Sequence, residues 1–127
     1  MQINGFHHIG LFVCDMDRSY RFYTEGLGGQ PTFSFPIGEG REIHLIDLGN
    51  NAVVELIPRG AEEPEAHARW AHIALSTDDT RAAYDMAIRA GAISHNEPAN
   101  QMLGEKAVVN AFVTGPDGEV IEFFQEL

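Results

Sequence analysis

Two stretches of this chain echo each other, and that constrains the fold more than any other feature. FHHIGLFVCDMDRSYRFYTEGLG begins at Phe6 and WAHIALSTDDTRAAYDMAIRAG begins at Trp70. Each runs a His-Ile-small-Leu strand into an Asp-rich turn, then a helix-length stretch, then glycine, with a one-residue slip after the strand. A repeat of roughly sixty residues is too long for a solenoid unit and suits a pseudo-twofold domain made of two similar modules.

With 127 residues and 44% apolar content, the chain can fill one compact domain spanning 1–127. The modules are expected at about 1–57 and 70–127, joined by a polar linker, 58–69, that contains Pro58, Gly60 and Pro64 and has no strand pattern.

In the first module Phe6–Val13 alternates as a strand. Asp15 is placed to cap a helix on which Met16, Tyr20, Tyr23 and Leu27 recur at helical spacing, with Gly26 or Gly28 to end it. Three β-like runs follow at Pro31–Ile37, Glu42–Leu48 and Ala52–Ile57, the last two separated by Gly49, Asn50 and Asn51. The second module reads the same way: a strand at His72–Thr77, a cap at Asp78 or Asp79, a helix to about Ala90, and Gly91. Arg81, Asp85 and Arg89 form a polar stripe on that helix. Strands at Ala92–His95, Ala107–Thr114 and Glu119–Gln125 complete it, the last two joined by the Gly-Pro-Asp-Gly turn at 115–118. Both modules are therefore expected to be βαβββ, an α+β architecture.

Strand alternation then makes a geometric claim about four residues. If Ile9, Leu11 and Val13 face the helix, His8, Gly10 and Phe12 share the other face. Val54 and Leu56 likewise leave Glu55 with Val53 and Ile57. Ile73 and Leu75 leave His72 with Ala74 and Ser76, and Ile121 and Phe123 leave Glu122 with Val120 and Phe124. A single strand histidine is more often a satisfied core or edge residue than a ligand, and a single strand glutamate often faces solvent. Four such residues at equivalent places in two repeats are harder to assign to coincidence. An ionised carboxylate among apolar neighbours is costly unless paired or bound to a metal. If the second faces are concave, two His and two Glu converge as an N2O2 set suited to a divalent ion such as Ni, Zn, Co, Mn or Fe. His7 lies on the opposite face, as a supporting or surface residue. His44, His67 and His95 have no partner pattern, and Cys14 reads as a small buried residue.

The charge balance is 8 Lys plus Arg against 19 Asp plus Glu, a formal net charge of -11, with Lys106 the only lysine. Nucleic acid and anionic membrane surfaces are excluded as partners on that ground. The lone Cys14 cannot form an intrachain disulfide, no apolar run reaches membrane-spanning length, and MQINGFHH lacks a signal-peptide pattern. A cytoplasmic protein is expected.

HIGLFVCDMDRSYRFYTEGLG from His8, AVVELIP around Glu55, HIALSTDD from His72 and GPDGEVIEFF around Glu122 resemble the vicinal oxygen chelate superfamily, and glyoxalase I (lactoylglutathione lyase) most nearly. The resemblance covers nearly the whole chain. It implies two βαβββ modules forming an incomplete barrel around a metal site, metal ligands at His8, Glu55, His72 and Glu122, and a homodimer acting on a small-molecule substrate. Epimerases of the superfamily commonly carry Gln where this chain has Glu55, and dioxygenases use two His and one Glu. Phe12 and Arg59 stand where bacterial glutathione-dependent members carry Arg and Asn, so ligation is preserved while substrate recognition is changed and glutathione dependence is put in question. The expected function is a metal-dependent lyase or isomerase that transfers a proton through a metal-stabilised enediolate on a small carbonyl or thioester compound. Glu122 is the expected base with Glu55 as its partner, and Phe12, Val53, Ile57, Arg59 and Phe124 are the expected pocket residues. Two alternatives stand beside it: an Fe(II) extradiol-type dioxygenase using His8, His72 and Glu122, and a non-catalytic small-molecule-binding protein of the resistance type.

Overall fold

The structure is a computed structural model that describes residues 3–59, 70–115 and 119–127. Most of the expected linker, the turn beyond Gly115, and His67 lie outside the described residues. The first elements are β1 (Ile3–Val13), α1 (Met16–Arg21), a π-helical turn (Phe22–Gly26), β2 (Gln30–Gly38), β3 (Arg41–Asp47) and β4 (Val53–Pro58). They are followed by β5 (Trp70–Thr77), α2 (Thr80–Arg89), β6 (Ile93–Leu103), β7 (Lys106–Thr114) and β8 (Val120–Glu126). The βαβββ order thus occurs twice. The chain divides into two compact units, His8–Ala71 and His72–Leu127, the latter joined by the first seven residues.

In the first unit β1 pairs in parallel with β4, β4 pairs antiparallel with β3, and β3 pairs antiparallel with β2. One face carries the core: Leu11 and Val13 of β1, Ile46 of β3, and Val54 and Leu56 of β4, with Met16, Tyr20 and Tyr23 packed over them. Asp15 caps α1 by accepting from the Arg18 N–H at 3.1 Å, as the sequence predicts.

Leu27 does not join the stripe. The helix widens after Arg21, and the Leu27 N–H reaches back five residues to the Phe22 carbonyl at 2.9 Å. That extra residue in the turn rotates the next positions away from the α-helical phase, leaving Leu27 56% exposed. Gly29 then closes the segment, its N–H donating to the Tyr23 carbonyl at 2.8 Å. Between β3 and β4, Asn50 and Asn51 adopt φ of 52° and 64°, the left-handed conformation that asparagine tolerates in turns. Pro58, expected to open the linker, is still in β4 as the register partner of Val13.

The second unit repeats the pattern: β5 is parallel to β8, β8 antiparallel to β7, and β7 antiparallel to β6. On one face Ala83 of α2 packs with Val113 and Phe123, supported by Leu75, Tyr84, Ala87 and Ile121. On the other, Ala74, Val108 and Phe124 are buried together. Arg81, Asp85 and Arg89 are exposed, as the polar stripe requires. Asp79 is the cap, accepting from the Ala82 N–H at 3.0 Å, and Asp78 instead accepts from Asn4. The start of α2 is fastened to the sheet because the buried Thr80 hydroxyl donates to the Val109 carbonyl at 2.8 Å.

Two expectations need correction here. Ile73, assigned to the helix face, is exposed, and Leu75 alone of that pair packs with the core. The strand expected to end at His95 runs on to Leu103. Register shifts between Ser94 and Asn96 and between Asn96 and Ala99 break the alternation that would have revealed it. Pro98 is accommodated between the shift at Asn96 and the paired Ala99. No helix among the described residues is long and apolar enough to cross a membrane.

Candidate metal centre

Register builds the same arrangement in each unit. In the β1/β4 pair Glu55 stands opposite Gly10, and in the β5/β8 pair Glu122 stands opposite Ala74. His8 and His72 lie two residues before those small partners, so each histidine shares a face with its glutamate on the neighbouring strand, one step away on the diagonal. The small residue in each His-Ile-small-Leu echo is thus the one facing the glutamate. A bulkier side chain there would compete for the space the carboxylate uses.

The histidine and glutamate side chains meet. His8 Nε2 is 3.5 Å from Glu55 Oε1, and His72 Nε2 is 3.1 Å from Glu122 Oε1. His8, Glu55 and Glu122 are 2%, 7% and 4% exposed, and His72 is half-buried. Such burial distinguishes these carboxylates from the chain's surface acids. A carboxylate loses its hydration on burial and must recover it from hydrogen bonds or positive charge.

The donor chemistry and spacing in each pair fit a divalent ion. Imidazole nitrogen and carboxylate oxygen suit borderline metals, and two donors each about 2.1 Å from one ion stand about 3.0 Å apart at a right angle or about 3.4 Å apart at the tetrahedral angle. The observed 3.1 and 3.5 Å separations match those of neighbouring ligands.

Strand alternation did not single out two residues beside Glu122. Asn110 of β7 donates from Nδ2 to Glu122 Oε2 at 3.1 Å. Phe112, the register partner of Glu122, sets its ring edge to the His72 ring at 5.7 Å between centroids. The available signal was Asn110 itself, the one uncharged amide inside KAVVNAFVT. Of the expected pocket residues, Phe12 and Arg59 are exposed and Val53 and Ile57 half-buried. Phe124 is buried against Ala74 and Val108, with the His7 ring 4.1 Å from its own.

His7 also stands 3.1 Å from Glu126 Oε2, and Lys106 donates to Glu126 Oε1 at 2.6 Å. The hydrogen bond from Lys106 is the main reason the Glu126 carboxyl is held below the ordinary carboxylate range. Partial burial opposes the shift and His7 adds to it. His44 packs edge-on against Tyr20, and His95 is exposed on β6.

The repeated βαβββ pattern and its paired His and Glu residues define a protein class, and comparison with known proteins identifies it. The model of the Glyoxalase/Bleomycin resistance protein/Dioxygenase superfamily matches residues 5–123, and the chain belongs to that superfamily and has its fold. It is 34% identical to the uncharacterized protein YwbC of Bacillus subtilis over 122 residues, covering 93% of this chain and 94% of that protein. It is 33% identical to a probable lactoylglutathione lyase of Vibrio parahaemolyticus over 126 residues, with coverage of 93% and 88%. Among solved structures, methylmalonyl-CoA epimerase from Mycobacterium tuberculosis superposes with a TM-score of 0.77 at 20% identity, covering 98% of this chain and 89% of that one. The Mn(II)-bound glyoxalase from Novosphingobium aromaticivorans gives 0.72 at 22% identity, with coverage of 98% and 39%.

Proposed function

We propose that this chain is a metal-dependent lyase or isomerase of the glyoxalase I type, and that His8, Glu55, His72 and Glu122 together hold one divalent ion. The observation that carries the reading is the repeated diagonal, in which a buried glutamate opposite Gly10 or Ala74 stands 3.5 or 3.1 Å from a histidine of the adjacent parallel strand. Similarity to a probable lactoylglutathione lyase and the fold shared with a Mn(II)-bound glyoxalase support it.

An ion held by these four side chains supplies Lewis-acid polarisation of a substrate carbonyl, a contribution of several kcal/mol to the acidity of the neighbouring C–H. Glu122 is the base: it takes the proton from the hydroxyl-bearing carbon next to the carbonyl and returns it to the former carbonyl carbon, while the hydroxyl proton passes to the former carbonyl oxygen, so the substrate isomerises with no net change in protonation. Glu55 is its counterpart from the other module. Phe12, Val53, Ile57 and Phe124 supply apolar side chains to the pocket, and a drier site strengthens each electrostatic interaction within it. Arg59 follows Glu55 at the end of β4 and supplies a cation for an anionic end of a small carbonyl or thioester substrate. The working form is a homodimer, which its hydrodynamic mass will test.

Protein purified without chelator should carry a stoichiometric divalent metal, measured by mass spectrometry of the metal. Absence of any bound ion, together with no uptake of Ni, Zn, Co, Mn or Fe on reconstitution, would sink the site. Loaded protein should convert a hemithioacetal or CoA thioester, and Glu122→Gln should retain metal and lose turnover. Consumption of oxygen with Fe(II) and a catechol, unaffected by Glu55→Ala, would replace proton transfer with the dioxygenase reading.

A further inference from the structure

The hydrogen bond to Glu122 from outside the four proposed ligands has a consequence for how that ligand is held. Asn110 is the register partner of Phe124 and lies between Val109 and Ala111, both buried. It shares the sheet face of Val108, which is buried with Ala74 and Phe124. Asparagine is disfavoured in strands, and an amide placed on an apolar sheet face must be satisfied there. Its Nδ2 donates to Glu122 Oε2 at 3.1 Å, while Glu122 Oε1 stands 3.1 Å from His72 Nε2. The two carboxylate oxygens therefore have different neighbours, an amide donor on one side and a ligand-type nitrogen on the other.

We infer that Asn110 is a positioning residue for the metal ligand Glu122, a role that rests on the metal-site reading above. Holding Oε2 fixes the carboxylate plane and leaves Oε1 directed to the side where His72 offers its nitrogen. Without that tie the carboxylate can rotate about its terminal torsion, which has a broad, roughly two-fold preference, so ion binding must then order it. Partners that orient metal ligands are typically worth 10–100-fold in metal affinity.

The test is divalent-ion binding, not turnover. Metal-free wild type and Asn110→Leu, which keeps the side chain's approximate size without the donor, are titrated with Mn2+ and Co2+ by calorimetry. The expected result is a 10–100-fold weaker Kd in the variant, with a changed Co2+ visible spectrum at saturation and a single cooperative unfolding transition in chelator. Asn110→Ser, smaller and unable to reach Glu122, should weaken binding similarly and serves if the leucine variant does not fold. A folded variant that binds within twofold of wild type and gives the same Co2+ spectrum overturns the inference. So does an equal loss when Asn110→Leu is made in Glu122→Ala, where no side-chain oxygen is left for Asn110 to hold, because the effect would not pass through the carboxylate. If wild type itself binds neither ion, the metal-site reading fails first, and that outcome is distinct from the others.

Discussion

Replacing Glu55 by Gln should change stability in opposite directions with and without metal. Glu55 is 7% exposed, lies between Gly10 and Leu45 in the sheet register, and has the buried Val54 and Leu56 on either side in sequence. Gln keeps the shape and can still hydrogen-bond the His8 ring, while the buried negative charge is removed. In chelator the variant should gain about 1–2 kcal/mol, because the desolvation penalty of a buried ion is several kcal/mol and the weakened contact with His8 offsets part of its relief. For 127 residues, 1 kcal/mol corresponds to about 4 °C in Tm, hence a rise of about 4–8 °C. Metal reverses the order. At about a thousandfold excess of ion over Kd, wild type gains about 4.1 kcal/mol, or about 15 °C; a hundredfold weaker Kd leaves about 1.4 kcal/mol, or about 5 °C. Differential scanning calorimetry in chelator and in Mn2+ or Ni2+ reads both effects. A variant less stable than wild type in chelator, and gaining as much from metal, would refute both the cost of the buried charge and its role as a ligand.

Gly29→Ala should destabilise by about 1–3 kcal/mol, because an added Cβ would stand 2.6 Å from both Ile46 Cγ2 and the Tyr23 carbonyl oxygen; chemical denaturation measures it. Asp79→Ala removes the cap of α2 and should cost about 1 kcal/mol, with Asp79→Ser restoring most of it. The Glu126 carboxyl is depressed in the folded state, so its contribution is present above the unfolded carboxylate pKa and lost as pH falls through the folded one. Lys106→Ala should therefore lower Tm modestly at pH 7, and the gap to wild type should close at pH 3; a gap that persists would assign the effect to lost packing.

The four proposed ligands could be found in the sequence because strand alternation has period two and a charged residue on an otherwise apolar strand stands out against it. His8, Glu55, His72 and Glu122 each break the expected composition of their face, and the two echoes supply the comparison. Asn110 breaks its own strand in the same way, but it has no counterpart in the other echo to mark it, and its importance comes from a neighbour twelve residues away on β8. Leu27 was misplaced because helical spacing assumes an unbroken α-helix, and the π-helical turn shifts the phase after Arg21. The length of β6 was hidden for a related reason, since two register shifts interrupt the period that strand reading depends on.

By itself the sequence determined the doubled βαβββ order, the cap at Asp15, a second cap narrowed to Asp78 or Asp79, and which polar residues lie on apolar strands. These follow from local preferences and short-range periodicity, which a linear string carries in full. Tertiary structure decided the pairing of each module's first strand with its last. Those partners are far apart in the chain, so no local rule sets their register. That register puts Glu55 opposite Gly10 and Glu122 opposite Ala74, and it turns one anomalous residue per strand into a histidine and a carboxylate at ligand spacing.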